Sequence, residues 1–358
     1  MANDNGEFTE GTNAKLRLFD WYLRDWLPVF YSLSAVKAIN IIDFFCGPGQ
    51  DSLGRPGSPL IIMNRLLEAG QPLRKWGGQV NIHFNDIAQK NIDRLSQILV
   101  SHTEFADIPK PKITCEAFED IFDSVISSVN GRDTANLILL DQYGVKSFTL
   151  DVFKKLTTLL RTDFLAFFST EHLRRFADQP EMQKYHKELA TLLQSVSIDK
   201  VSTTLSNYLR SNIPSQVTSF VSDFTIKKGG NAYTILFGSG HPRGVDKFIQ
   251  QCWKVDPFSG NLYVEAKKSD QRGLFDERSD AVISKDLDEY QHLLQKEILD
   301  RHLTTTKQVF IHYVTHGFLN KHARAVLQQL KAQGTIERVP GISYESGYKH
   351  ETPLGVKI

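Results

Sequence analysis

Apolar and polar positions follow two periods along this chain, and the periods alternate in a regular order. In "KLRLFDWYLRDWLPVFYSL", beginning at Lys15, apolar side chains return at Leu16, Phe19, Leu23, Trp26 and Phe30. Those three- and four-residue steps mark one face of an amphipathic helix. Pro28 falls inside the pattern and is predicted to kink or end it. "AINIIDFF" (Ala38 to Phe45) reads as a short buried strand. "GSPLIIMNRLLEAG" (Gly57 to Gly70) reads as a helix opened by Ser58 as its cap and Pro59 in its first turn. "VNIHFNDIAQKNIDRLSQIL" is a strand ending at Asn85-Asp86 and then a helix. "KITCEAF", "ANLILLDQYG" and "DFLAFFST" supply three further strands, the last following the helix "SFTLDVFKKLTTLL". This alternation of strand and helix predicts a parallel sheet wrapped on both faces.

The pattern then changes. After a helical stretch at about residues 179–210, "SQVTSFVSDFTIKKGGNAYTILFGS" holds two strand-like runs joined at Lys228-Gly229-Gly230-Asn231, a hairpin turn. An antiparallel hairpin closing a parallel sheet departs from the dinucleotide-binding order. It is the arrangement of the class I methyltransferase fold, a Rossmann-like α/β architecture, and that fold is expected here. "HPRGVDKFIQQCWKVD" is another amphipathic helix. "TTTKQVFIHYVTHGFLNKHARAVLQQLKAQGTIERVPGISY" predicts helix, turn, helix and a short hairpin around Pro340-Gly341, a winged-helix outline. The expected organisation is a loose tail over 1–13, a methyltransferase-like domain over 14–256, a polar linker over 257–282 and a winged-helix-like module over 283–358.

Composition changes this picture little. The chain has 358 residues, and a net charge of +1 gives no global attraction to nucleic acid, so any such contact must be a local patch. The cysteines Cys46, Cys115 and Cys252 stand far apart. They exclude a disulfide framework or a cysteine-rich zinc site and fit a reducing compartment. The polar N-terminus carries no signal peptide and no apolar run approaches a membrane span, so a cytoplasmic protein is expected, with no membrane partner and no metal site.

The candidate chemistry lies in "IIDFFCGPGQ". Gly47 and Gly49 permit a sharp turn and let a ligand touch the main chain, while Pro48 stiffens the loop between them. Nucleosides bind beyond the carboxyl ends of strands in such sheets. Asp43, at the strand end, is expected to receive the ammonium of bound S-adenosylmethionine. Asp86, at the end of the second strand, is expected to hold both ribose hydroxyls, with a helix cap as its alternative. Glu116 and Phe118 are candidates to approach the adenine, with a surface helix start as the alternative. "DQYG" closes the fourth strand where the methyl group would be presented. Amino-directed methyltransferases carry an acid or amide, two prolines and an aromatic residue there, so Asp141 and Tyr143 are the catalytic candidates; the alternative for Asp141 is a turn cap. His241 and Arg243 in "GSGHPRG" have no identifiable partner, and Cys46 is expected only to pack.

Several of these stretches together resemble one family, the three-Cys-motif partner proteins (TcmP). They are "YLRDWLPVF", "IIDFFCGPGQ", "GSPLII", "LILLDQYG" and above all "FGSGHPRGVDKFIQQCWKVD". Cys46 stands where the family commonly has alanine, and Tyr143 where it has phenylalanine. The resemblance implies a methyltransferase-fold protein that works beside a radical-SAM-like three-Cys-motif partner, with a link to nucleic-acid modification or repair. "GSPLII" is also similar to a stretch in ribosomal-RNA adenine-N6 methyltransferases.

Between Arg301 and Pro340 six basic residues face one acid, Glu337. Lys321, His322 and Arg324 begin the second helix of the winged-helix outline, the part that meets bases or phosphates in such modules. Two functions are therefore expected. One is a methyltransferase that binds S-adenosylmethionine and acts on nucleic acid. The other is a non-catalytic subunit that targets a partner enzyme to DNA.

Overall fold

Near-continuous apolar runs in the central strands have the consequence the sequence leads one to expect: a sheet buried on both faces. The computed structural model describes residues 6–142, 147–169, 187–193, 196–197, 200–228, 231–265 and 287–357. Among them, β1 (Ala38–Asp43), β2 (Gln79–Asn85), β3 (Lys112–Thr114), β4 (Thr134–Leu140), β5 (Thr162–Ser169), β6 (Phe220–Lys228), β7 (Asn231–Ser239) and β8 (Leu262–Glu265) form one sheet. Their order is β3-β2-β1-β4-β5-β7-β6-β8. β1 to β5 pair in parallel, and β7 runs antiparallel to both β5 and β6. An antiparallel strand inserted beside the fifth is the feature that separates this sheet from the dinucleotide-binding order. The parallel sheet closed by an antiparallel hairpin is thus present; residues 229–230 of its turn lie outside the described residues.

Side chains of alternating parity feed two cores. Ile41, Leu137, Leu139 and Leu165 face one, covered by α1 (Glu10–Tyr31) and α2 (Ser58–Trp76). Ile42, Ile138, Leu140 and Ala166 face the other, covered by α4 (Phe118–Val129) and α5 (Leu150–Thr158). The buried side chains Ile92, Leu95 and Ile98 of α3 (Gln89–Ser101) join the first core, and α6 (Val201–Ser211) packs on β6. No sequence pattern announces what aligns these strands. Asn81 Nδ2 donates to Asn40 Oδ1 at 2.8 Å, Asn40 Nδ2 to Asn136 Oδ1 at 2.7 Å and Asn136 Nδ2 to Thr162 Oγ1 at 2.9 Å. This polar ladder crosses four strands through register partners and fixes their alignment, because a one-residue slip would strand buried amides.

Three expectations need correction. Residues 6–13 are not a loose tail. Thr9 caps α1 by accepting from Thr12 N, Phe8 N donates to Asp51 Oδ2 at 2.9 Å, and Arg55 Nη2 donates to Phe8 O at 2.8 Å. A polar composition hid these backbone bonds. The stretch read as a linker contains β8, which pairs in parallel with β6 from Thr225↔Leu262 onward and extends the sheet edge; 266–286 lie outside the described residues. No hairpin forms around Pro340-Gly341. Pro340 lacks an N–H to pair, and the chain turns instead into a single π-helical turn, Tyr344–Tyr348, where Ser343 accepts from Ser346 N. The two pairings that remain here are single bridges, Thr305↔Pro353 and Ile336↔Val356.

The C-terminal helices share the main core rather than forming their own. α7 (Pro242–Val255) packs on α1, and α9 (Thr306–Thr315) packs on α7. Between them Trp253 Nε1 donates to Gly317 O at 3.0 Å while its ring meets Phe318 and His322. α8 (Leu287–Leu299) and α10 (Asn320–Ala332) complete the group. No helix among the described residues is long and apolar enough to cross a membrane.

Candidate functional site

Because β1 lies between β2 and β4, the chain leaves β1 toward one side of the sheet and continues on the other only later. The crevice of such a sheet opens there, beyond the C-terminal ends of β1 and β4. The glycine loop occupies that place. Gly47 (φ 60°) and Gly49 (φ 85°) both adopt left-handed backbone, but they differ in what surrounds them. A Cβ on Gly49 would stand 2.7 Å from Leu95 Cδ1, so Gly49 packs closely against α3 and any side chain there would displace that leucine. A Cβ on Gly47 would meet nothing within 4 Å, so this is the glycine whose bare face looks into open space.

The acids around the loop are positioned by it as much as they position a ligand. Asp86 Oδ2 accepts from Gly47 N at 2.9 Å, and Oδ1 accepts from Ala88 N at 2.8 Å and Asn91 Nδ2 at 3.1 Å. Asp86 is therefore both a turn cap and the anchor of the glycine loop, with acceptor capacity left on Oδ2. Asn85, its neighbour, passed unnoticed in the sequence. Its side chain donates to Phe44 O at 3.2 Å and Glu116 O at 3.0 Å and accepts from Glu116 N at 3.1 Å, tying the loop after β1 to the end of β3. Beyond Asp86 stands Ile87, 73% exposed, an apolar side chain at the rim of the crevice.

Asp43 does not face the crevice. It is 0% exposed. Oδ2 accepts from Ser58 Oγ at 2.6 Å and Oδ1 from Phe45 N at 3.1 Å. Burial pushes its carboxyl up to about 7, against the lowering effect of those two bonds, with Asp141 raising it and Lys15 lowering it further. The expected contact with a ligand ammonium is replaced by a clamp between β1 and the first turn of α2, and Ser58 spends its hydroxyl on that clamp; Gly57 is the N-cap. Glu116 is exposed at the start of the β3–α4 loop. Phe118 is 4% exposed and packs against Phe44 and Phe45, so it belongs to the core rather than to a ligand. Cys46 is buried, as packing alone requires, and burial raises its thiol far above the usual range.

A cleft of about 220 Å³ opens at the ends of β4 and β5, lined by Thr12, Lys15, Asp141, Gln142, Phe167 and Tyr233 among others. Asp141 Oδ2 accepts from Lys15 Nζ, which reaches across from α1 and sits 4.6 Å from the centre of the Phe167 ring. Gln142 Oε1 accepts from Phe148 N at 2.9 Å, while its Nε2 is buried without a hydrogen-bond partner. Tyr143 lies outside the described residues. Lys15 gave no sign in the sequence, where it is one of many helical lysines; only the fold brings it to the motif acid.

The remaining candidates stand apart. His322 is 7% exposed against Trp253, its Nδ1 accepts from Leu319 N at 3.2 Å, and burial lowers it to about 4. It is a buried cap and not a contact for nucleic acid. Lys321 and Arg324 are exposed on the same helix. His241 caps α7 by accepting from Arg243 N. Among the described residues no three metal-ligating side chains gather in one place.

No family model matches the sequence, and no curated protein matches it. Solved structures do. TomG, an O-methyltransferase from Streptomyces achromogenes in complex with SAM, is 11% identical over 63% of this chain and 78% of its own, with a TM-score of 0.33. TrmK of M. capricolum, in complex with S-adenosyl-homocysteine, is 7% identical over 84% of this chain and 96% of its own, with a TM-score of 0.29. PH0226 of Pyrococcus horikoshii OT3 is 12% identical over 60% of this chain and 87% of its own, also at 0.29. At TM-scores of this size the fold assignment rests on the strand order itself.

Proposed function

We propose that this chain is an S-adenosylmethionine-dependent methyltransferase that acts on nucleic acid, a member of the TcmP family working beside a three-Cys-motif radical-SAM-like partner. The observation that carries the proposal is the cradle at Gly47: a left-handed glycine whose missing side chain leaves the main chain bare, at the switch point of the sheet, braced by Asp86. Gly47 and the free capacity of Asp86 Oδ2 would hold the adenosyl group, and Ile87 would cover the adenine. The cofactor supplies a methyl group already activated on a sulfonium, so the protein needs to align and hold, not to generate a strong base. Asp141 would accept a proton from an acceptor amine in the cleft that it lines together with Phe167. Exposed Lys321 and Arg324, on a helix docked against the main core, supply the nucleic-acid contact.

Calorimetric titration with S-adenosylmethionine tests this reading. Micromolar binding that is lost in Gly47→Ala, with the fold retained, supports it, since the new Cβ fills the space the ligand needs. Absence of binding to the native chain defeats it. A second reading, a non-catalytic subunit, is favoured by one observation: the motif acid is already engaged by Lys15. It predicts no methyl transfer even where the cofactor binds.

A further inference from the structure

Lys15 is a primary amine held inside the cleft where the acceptor of the proposed reaction belongs, and three features of its setting suit it to be an acceptor itself. Its side chain is 12% exposed, so it is enclosed rather than one of the surface lysines. Its Nζ donates to Asp141, a carboxylate that is 41% exposed on its side chain and can pass a proton on to solvent. Its Nζ also lies 4.6 Å from the Phe167 ring centre. In methyl transfer to an amine, positive charge leaves sulfur and grows on nitrogen. A carboxylate and an aromatic face fixed around that nitrogen therefore stabilise the transition state more than the ground state of a neutral amine. Methylated ammonium groups are bound by such faces.

We infer that Lys15 is a self-methylation site of this protein. The inference rests on the proposed binding of S-adenosylmethionine. Lys15 Nζ gives one proton to the Asp141 carboxylate, and its lone pair then forms a bond to the methyl carbon. The carbon–sulfur bond breaks with its electron pair going to sulfur, which leaves as the neutral thioether of S-adenosylhomocysteine. The proton on Asp141 departs to solvent. The product is N-methyl-lysine, still cationic and still paired with Asp141. The segment that carries Lys15 is well placed for such a role, because its other end is bonded to the glycine-loop extension through Phe8, Asp51 and Arg55. The stretch from Phe8 to Lys15 thus links the glycine-loop extension and the acceptor cleft.

The experiment is mass spectrometry of the full-length protein, as purified and after incubation with methyl-deuterated S-adenosylmethionine, with peptide mapping and a parallel calorimetric titration. The expected result is methyl mass on the peptide containing Lys15, absent in Lys15→Arg and reduced at least tenfold in Asp141→Asn. Both variants should unfold within a few degrees of the native chain. Binding of the cofactor without methyl on Lys15 overturns the inference and leaves the function standing, with Lys15–Asp141 a structural ion pair. Methyl found only on other residues overturns it equally. No binding at all removes the functional reading and this inference with it.

Discussion

At the residue scale, similar letters do different work. Gly47 and Gly49 flank one proline and share left-handed backbone, yet a Cβ on Gly49 would press on Leu95 while one on Gly47 would stand in open space. Two aspartates stand at the ends of adjacent strands, Asp43 as the last residue of β1 and Asp86 just after β2, yet Asp86 anchors a loop while Asp43 is walled in. Asp43 gives the clearest pH signature. The folded chain holds its proton to about pH 7, whereas the unfolded chain releases it near the ordinary carboxyl value of 3.8. Between those values the native state binds more protons, so stability falls as pH rises. Asp43→Asn removes this term, so its stability relative to the native chain should rise between about pH 4 and pH 7 in urea titrations; a difference independent of pH would show that the carboxyl ionises normally. Asp163, pushed up to about 6 chiefly by burial, acts in the same direction in both proteins and cancels in the comparison. A second prediction concerns Ile87. Replacing this exposed side chain with aspartate should leave the melting temperature unchanged and weaken S-adenosylmethionine binding about tenfold, the loss of most of one buried apolar contact. Unchanged affinity would place the adenine elsewhere.

At the scale of elements, the strands were legible because short, near-continuous apolar runs report burial on both faces directly. What holds them in register was not legible. Asn40, Asn81 and Asn136 look like ordinary polar positions, and only adjacency of β2, β1, β4 and β5 turns them into a ladder. Asn136 is 0% exposed, and its removal leaves Asn40 Nδ2 without its acceptor and Thr162 Oγ1 without its donor. Asn136→Ala should therefore cost about 3 kcal/mol in chemical unfolding, from two unsatisfied buried groups; a loss below about 1 kcal/mol would mean the ladder is dispensable. α1 follows the same rule. Its apolar stripe predicted a helix, but Tyr22 Oη and Trp26 Nε1 both donate to Asp163 Oδ2, at 2.6 Å and 2.9 Å, and this places the helix across the sheet with Lys15 at the cleft.

At the scale of the whole molecule, the C-terminal helices were expected to form a separate module. Their apolar residues instead join the main core, with Trp253 as the joint. A single cooperative calorimetric transition is expected for the full chain, and Trp253→Ala should destabilise it by about 3–5 kcal/mol. Two resolved transitions in the native chain would restore the two-domain description. The shared core also explains why His322 was misread: a position at the start of a helix is exposed in a free module and buried in a docked one.

The sequence by itself determined the order of strands and helices, the hairpin that closes the sheet and the loop with its glycines, because burial period and backbone conformation are written locally in side-chain type. Tertiary structure alone decided which face of the loop is open, which acid is enclosed, that the N-terminal residues brace the glycine loop, and that Lys15 meets Asp141 across 126 positions of chain. Those outcomes depend on contacts between residues distant in sequence, and a residue carries no mark of the partner that folding will bring to it.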